Sequence, residues 1–177
     1  MQRTNIILQM KIYLIGYMGS GKTTIGKTVA EKLQWQFLDT DEMIEKRYEM
    51  EISDIFRLYG ESEFRGAEQE ILKELAGVEN AVVSAGGGAP CFFDNMELMN
   101  KTGKTFYINL PPNQLAERLL TTNLDTRPLL AKLSKEELEK FIVENLNKRE
   151  HFYLQAHYSV SGSDEEIENQ IIDKINQ

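Results

Sequence analysis

Three layers, with helices on both faces of a mostly five-stranded parallel sheet, is the α/β architecture that this 177-residue sequence predicts. Two observations carry it. Short apolar runs alternate with longer segments whose apolar residues recur at helical spacing, and the long connections between strands require crossovers that cover both faces of a sheet. The apolar content of 41% is enough for one core of ordinary size and no second, so residues 10–177 read as a single domain without repeats or linkers.

Residues 1–9 show neither a helical stripe nor the composition of a targeting segment and read as an extension without an assigned role. From Lys11, the run Ile12-Tyr13-Leu14-Ile15 has the character of a strand buried on both faces, and Gly16 ends it. Ile25, Val29 and Leu33 follow at helical spacing. A second strand falls around Gln36 to Leu38, helical stretches at Glu42 to Tyr59, and a longer helix from about Glu61 to Ala76 with Phe64, Ile71, Leu72 and Leu75 inward. Ala81 to Ser84 is a third strand that runs into Gly86, Gly87 and Gly88. Thr105 to Leu110 is a fourth, stopped by Pro111 and Pro112 ahead of a helix carrying Leu115, Leu119 and Leu120. Asn123 to Lys132 reads as a loop. Ser134 with Glu137 and Ser163 with Glu166 make capping boxes for the last two helices, and Ala156 to Val160 is a strand between them.

Composition narrows the function. A net charge of −8 disfavours a nucleic-acid partner, and no apolar stretch approaches the roughly 20 residues of a membrane span. Cys91 has no second cysteine to pair with and no export signal precedes it, which suits a reducing cytoplasm. The chain has seven arginines, so an acidic protein that must hold anions has to gather them where they are needed.

The strongest chemical signal is Gly16-Tyr17-Met18-Gly19-Ser20-Gly21-Lys22-Thr23, which satisfies the phosphate-loop pattern and sits between a strand and a helix, as that pattern demands. Glycines let successive N–H groups of Gly19, Ser20, Gly21 and the following Lys22, Thr23 and Thr24 converge on phosphate. The Lys22 ammonium then reaches the β/γ oxygens, and the Thr23 hydroxyl is a Mg²⁺ ligand. Asp39 and Asp41 flank one residue at a strand end, where one carboxylate could serve the metal's water shell and the other a substrate hydroxyl; simple N-capping of the next helix by one of them is the alternative. Gly86 to Gly88 allow close backbone approach to a ligand, or a tight turn with none. Arg65, Arg127 and Arg149, taken singly, read as solvated surface residues.

A pattern that links these arginines exists. Together with the phosphate loop, the stretches Leu38-Asp39-Thr40-Asp41, Gly60-Glu61-Ser62-Glu63-Phe64-Arg65, Gly86-Gly87-Gly88, Arg127-Pro128-Leu129-Leu130 and Arg149 with Tyr153 resemble the shikimate kinase family, in order and at compatible spacing, from about Lys11 to the last helix. The resemblance implies a P-loop kinase fold with an acceptor-binding region at about 41–76 and a mobile lid at about 121–133. It implies transfer of the γ-phosphoryl group of ATP to the 3-hydroxyl of shikimate, giving shikimate 3-phosphate and ADP on the route to chorismate and the aromatic amino acids, in a cytoplasmic monomer. By the same resemblance Asp41, Arg65, Gly86, Gly87, Gly88 and Arg149 surround shikimate and Glu68 supports the arginines. Arg127 is then the lid's contact with the γ-phosphate, Lys22, Asp41 and Arg127 are catalytic, and Thr23 with Asp39 serves Mg²⁺ directly or through water. Family members often place basic residues beside the adenine; here one region offers Arg118 and the other, Gly162-Ser163-Asp164-Glu165, offers none. A kinase for gluconate or a nucleoside monophosphate, or a nucleotide-binding regulator without an acceptor, are the competing readings.

Overall fold

The computed structural model describes residues 10–121 and 133–177. Strands β1 (Lys11–Ile15), β2 (Gln36–Asp39), β3 (Ala81–Ser84), β4 (Lys104–Ile108) and β5 (Tyr158–Val160) form one parallel sheet in the order β2-β3-β1-β4-β5. Helices α1 (Lys22–Leu33), α2 (Thr40–Tyr48), α3 (Ile52–Leu75), α4 (Asn95–Thr102), α5 (Pro112–Thr121), α6 (Lys135–Tyr153) and α7 (Asp164–Ile175) complete a three-layer fold, as the alternating pattern predicts. Every residue of β1 and β3 is buried, which is why both read as unbroken apolar runs and not as alternating ones.

The sheet order fixes where a ligand can lie. From β1 the chain builds outward through β3 and β2 on one side and through β4 and β5 on the other, so β1 stands at the switch point of the sheet, beyond whose carboxyl end ligands bind. Leu14 of β1 and Asp39 of β2 are both in register with Ser84 of β3. Three connecting segments therefore leave the sheet side by side: the glycine loop after β1, Asp39-Thr40-Asp41 after β2 and the triple glycine after β3.

Several elements differ from the sequence expectation. The first of the two helical stretches ends at Tyr48, where Glu49 turns left-handed (φ 53°). The expected boundary near Gly60 survives as a kink inside α3, with Gly60 at φ 83° and ψ 172°. Helix α4 carried no readable signal because it is only eight residues long and its inward residues are Asn95, Met96 and Met99. Asn95 is buried because its side-chain Nδ2 donates to the Ala89 carbonyl at 2.9 Å, which ties α4 to a short 3-10 turn at Ala89–Cys91. The last strand begins at Tyr158, since the Ala156 N–H is still bonded back to Tyr153 at the end of α6. Both capping boxes form, at Ser134 with Glu137 and Ser163 with Glu166. Lys11 is buried at the start of β1, where its ammonium donates to the carbonyls of Leu75, Ala76 and Val78 and so satisfies the end of α3. The loop and lid expected at 121–133 fall almost wholly outside the described residues.

Candidate functional site

A cleft of about 170 Å³ opens at the carboxyl end of the sheet, lined by Met18, Gly19, Gly21, Lys22, Thr23 and Thr24 on one side and by Asp39, Asp41, Ser84, Ala85 and Gly87 on the other. It joins the phosphate loop to the acidic turn and the triple glycine, three segments that lie far apart in the sequence. Gly21 ends the loop at φ 91° as the N-cap of α1 and contributes no side chain, so no side chain occupies the N–H groups at the start of that helix. The Lys22 ammonium donates to the carbonyls of Gly16 (2.9 Å) and Tyr17 (3.1 Å), folded over the loop whose backbone it crosses. Ser20 is buried, and Thr24 is exposed on the first turn of α1.

The acidic turn divides its labour. Asp39 is the N-cap of α2: one carboxylate oxygen accepts the Asp41 N–H at 3.0 Å and the other accepts the Thr23 hydroxyl at 2.9 Å. Capping thus falls to Asp39, and the Asp41 carboxylate is turned toward the triple glycine. A Cβ on Gly86 would lie 2.7 Å from an Asp41 oxygen and 2.7 Å from a Glu68 oxygen, so the chain can pass here only without a side chain. Thr40, between the two aspartates, accepts the Gly86 N–H on its hydroxyl at 2.9 Å and binds the two turns together.

Arg65 and Glu68, one helical turn apart on α3, form an ion pair at 2.7 Å, and Glu61 accepts from the same guanidinium at 3.0 Å. Burial disfavours the Arg65 charge, and the two carboxylates together outweigh it. Burial also pushes the Glu68 carboxyl up to about 7, with Arg65 pulling the other way, the Asp41 charge adding to the rise and Arg149 opposing it. Arg149 is half-buried near the end of α6, its guanidinium carbon 5.7 Å from the centre of the Tyr17 ring. Tyr153, one turn further on, donates to the Gly87 carbonyl at 2.5 Å, and the backbone at Gly87 in turn lies against Gly16 and Met18 of the phosphate loop. Two of the chain's arginines are therefore drawn from separate helices to one side of the cleft. Arg127 lies outside the described residues.

Three features of the site escaped the sequence reading. Aromatic cover of Arg65 by Phe56, Phe64 and Phe92 has no linear signature, because Phe92 comes from the turn after the triple glycine. Glu61 is at helical spacing from Arg65, a signal that was available. The two regions that depart from the family meet each other: Arg118 on α5 pairs with Asp164 at the start of α7 at 2.7 Å and reaches the Ser20 carbonyl at 3.4 Å. The acidic residue found where family members often carry a basic one is the partner of the arginine that the other region keeps.

The family model described as shikimate kinase matches residues 18–177. The shikimate kinase of Azobacteroides pseudotrichonymphae is 54% identical over 147 residues, covering 82% of this chain and 86% of the relative. Among solved structures, shikimate kinase from Bacteroides thetaiotaomicron superposes with a TM-score of 0.89 at 41% identity, over 95% of this chain and 99% of that one. Shikimate kinase from Acinetobacter baumannii, in complex with shikimate, gives 0.84 at 34% identity, over 96% and 94%. Phosphate loop, acidic turn and Gly87 of the triple glycine line one cleft with Arg65 and Arg149 beside it, and the matches run the length of the described fold: the chain belongs to the shikimate kinase family.

Proposed function

We propose that this protein transfers the γ-phosphoryl group of ATP to the 3-hydroxyl of shikimate, releasing ADP and shikimate 3-phosphate. The observation that carries the reading is the gathering of two guanidinium groups around the buried Glu68 carboxyl beside the triple glycine, Arg65 against Gly88 and Arg149 against the Tyr17 ring of the phosphate loop. A phosphate loop alone fits many acceptors; guanidinium groups beside a hydroxyl-binding carboxylate fit an organic acid.

In this reading the loop N–H groups hold the β-phosphate and Lys22 exchanges its carbonyl partners for β/γ oxygens. Asp41 orients the attacking hydroxyl, and a loose transition state asks little of it as a base. Arg65 and Arg149 fix the carboxylate, so the acceptor cannot rotate out of line. Arg127 and the lid at 121–133 belong to the proposal, closing over the γ-phosphate and excluding water. The Thr23 hydroxyl and Asp39 carboxylate, 2.9 Å apart beside the loop, are hard oxygen donors of the kind Mg²⁺ takes. Two protein oxygens leave the remaining positions to phosphate and water, as suits that ion. When bound, Mg²⁺ would neutralise charge on the β/γ oxygens.

Arg118 then borders the base of the nucleotide. The reading extends to a cytoplasmic monomer; among the described residues no helix is long and apolar enough to cross a membrane. A coupled ADP-release assay across shikimate, gluconate and nucleoside monophosphates tests it. Turnover with shikimate is the expected result. Release with a nucleotide or gluconate and none with shikimate overturns the acceptor, and ATP binding without turnover of any acceptor favours a regulator.

A further inference from the structure

The guanidinium of Arg65 carries five N–H donors in one plane. Nε and Nη2 each give one to Glu61 Oε1 (3.2 and 3.0 Å), and Nη1 gives one to Glu68 Oε2 (2.7 Å). One N–H therefore remains on each terminal nitrogen, the pair that a carboxylate takes in bidentate fashion. Gly88 lies close beside the group: a Cβ there would stand 2.6 Å from Nη1, 2.8 Å from Nη2 and 2.9 Å from the guanidinium carbon. The two carboxylates hold three of the five N–H groups, and aromatic rings cover the guanidinium. The Phe92 ring centre is 4.3 Å from the guanidinium carbon, closer than Phe64 at 5.2 Å or Phe56 at 5.8 Å.

Phe92 is placed independently of α3. It follows the 3-10 turn Ala89–Cys91, its N–H bonded to Ala89, whose carbonyl also accepts from buried Asn95. The ring therefore meets Arg65 as part of the glycine-turn wall.

We infer that Phe92 is a positioning residue for the acceptor's carboxylate: its ring seals one side of the Arg65 guanidinium and holds the two remaining N–H groups on the acceptor. This rests on the reading of Arg65 as the carboxylate contact. The physical reason is twofold. A cation over an aromatic face is stabilised by the ring quadrupole, and a guanidinium shielded from water makes stronger charge-assisted hydrogen bonds. A leucine of similar bulk supplies cover without the quadrupole and packs less closely on a planar group.

The test is steady-state kinetics of wild type, Phe92→Leu and Phe92→Tyr with shikimate and with its methyl ester, which lacks the charge. Phe92→Leu is expected to raise the KM for shikimate roughly 5- to 30-fold, the scale of a desolvated cation–π contact. Its kcat and KM for ATP should stay within about twofold, its KM for the ester should match wild type, and Phe92→Tyr should restore the shikimate value. An unchanged shikimate KM in Phe92→Leu, an equal penalty on acid and ester, or failure of Phe92→Tyr to rescue overturns the inference and leaves the acceptor assignment standing. Wild type that phosphorylates no shikimate removes both.

Discussion

The two halves of the cleft are made of different material. The nucleotide half is backbone: eight consecutive residues, Gly16 to Thr23, in one loop and one helix start. The acceptor half is side chains, with Asp41 from α2, Arg65 and Glu68 from α3, and Arg149 from α6, set around glycines that follow β3. A backbone cradle is satisfied by any sequence that leaves the loop its glycines, its lysine and its threonine hydroxyl. A side-chain pocket depends on charges that compensate one another, so its parts cannot be changed singly without a partner noticing.

The contrast can be broken most sharply at Lys22, the side chain that brings positive charge to the backbone half. Lys22→Ala should lower kcat by about 10²- to 10³-fold, the scale of removing one donor that stabilises transition-state charge, with an unchanged circular dichroism spectrum. Near-normal turnover would contradict the cradle assignment.

Glu68 tests the compensation in the acceptor half. Its buried carboxyl titrates at about 7 against an ordinary value of 4.5. A raised folded value contributes stability that is complete below 4.5 and is lost as the pH rises through about 7. Urea denaturation should therefore show wild type losing about 2–3 kcal/mol relative to Glu68→Gln between pH 5 and pH 8. Parallel pH profiles would mean that Glu68 stays charged throughout.

Arg149→Ala should raise the KM for shikimate by about 10- to 150-fold, the loss of a charge-assisted partner of roughly 1.5–3 kcal/mol. The KM for ATP should hold, and an unchanged shikimate KM would remove Arg149 from the acceptor side. The smallest effect is expected at the seam. Tyr153→Phe deletes the bond to the Gly87 carbonyl, worth about 0.5–1.5 kcal/mol, and should move the KM values for both substrates in the same direction by a few-fold. A shift confined to one substrate would show that the halves meet elsewhere.

Legibility followed the same division. The strand, loop and helix around Gly16 to Thr23 were readable because cause and consequence lie within a dozen residues, and the two capping boxes for the same reason. The acceptor half was readable only through resemblance, since nothing local to Arg65 or Arg149 tells that α3 and α6 converge. Lys11 read as the polar start of a strand, and its burial depends on three carbonyls 64 to 67 residues away. Phe92 and the Arg118–Asp164 pair are likewise products of tertiary contact, and α4 was hidden by its brevity and its polar Asn95.

The parallel alignment of Leu14, Ser84 and Asp39 has one more consequence. Apolar residues within these strands can be exchanged for others of similar bulk at modest cost. Their rung in the ladder cannot be exchanged. A slip of one residue between β1 and its neighbours would carry the acidic turn or the glycine turn about 3.3 Å along the strand axis and reverse the faces of every side chain on it. The sheet acts as a jig for the three segments that leave its carboxyl end, and what evolution must preserve in its interior is spacing more than identity.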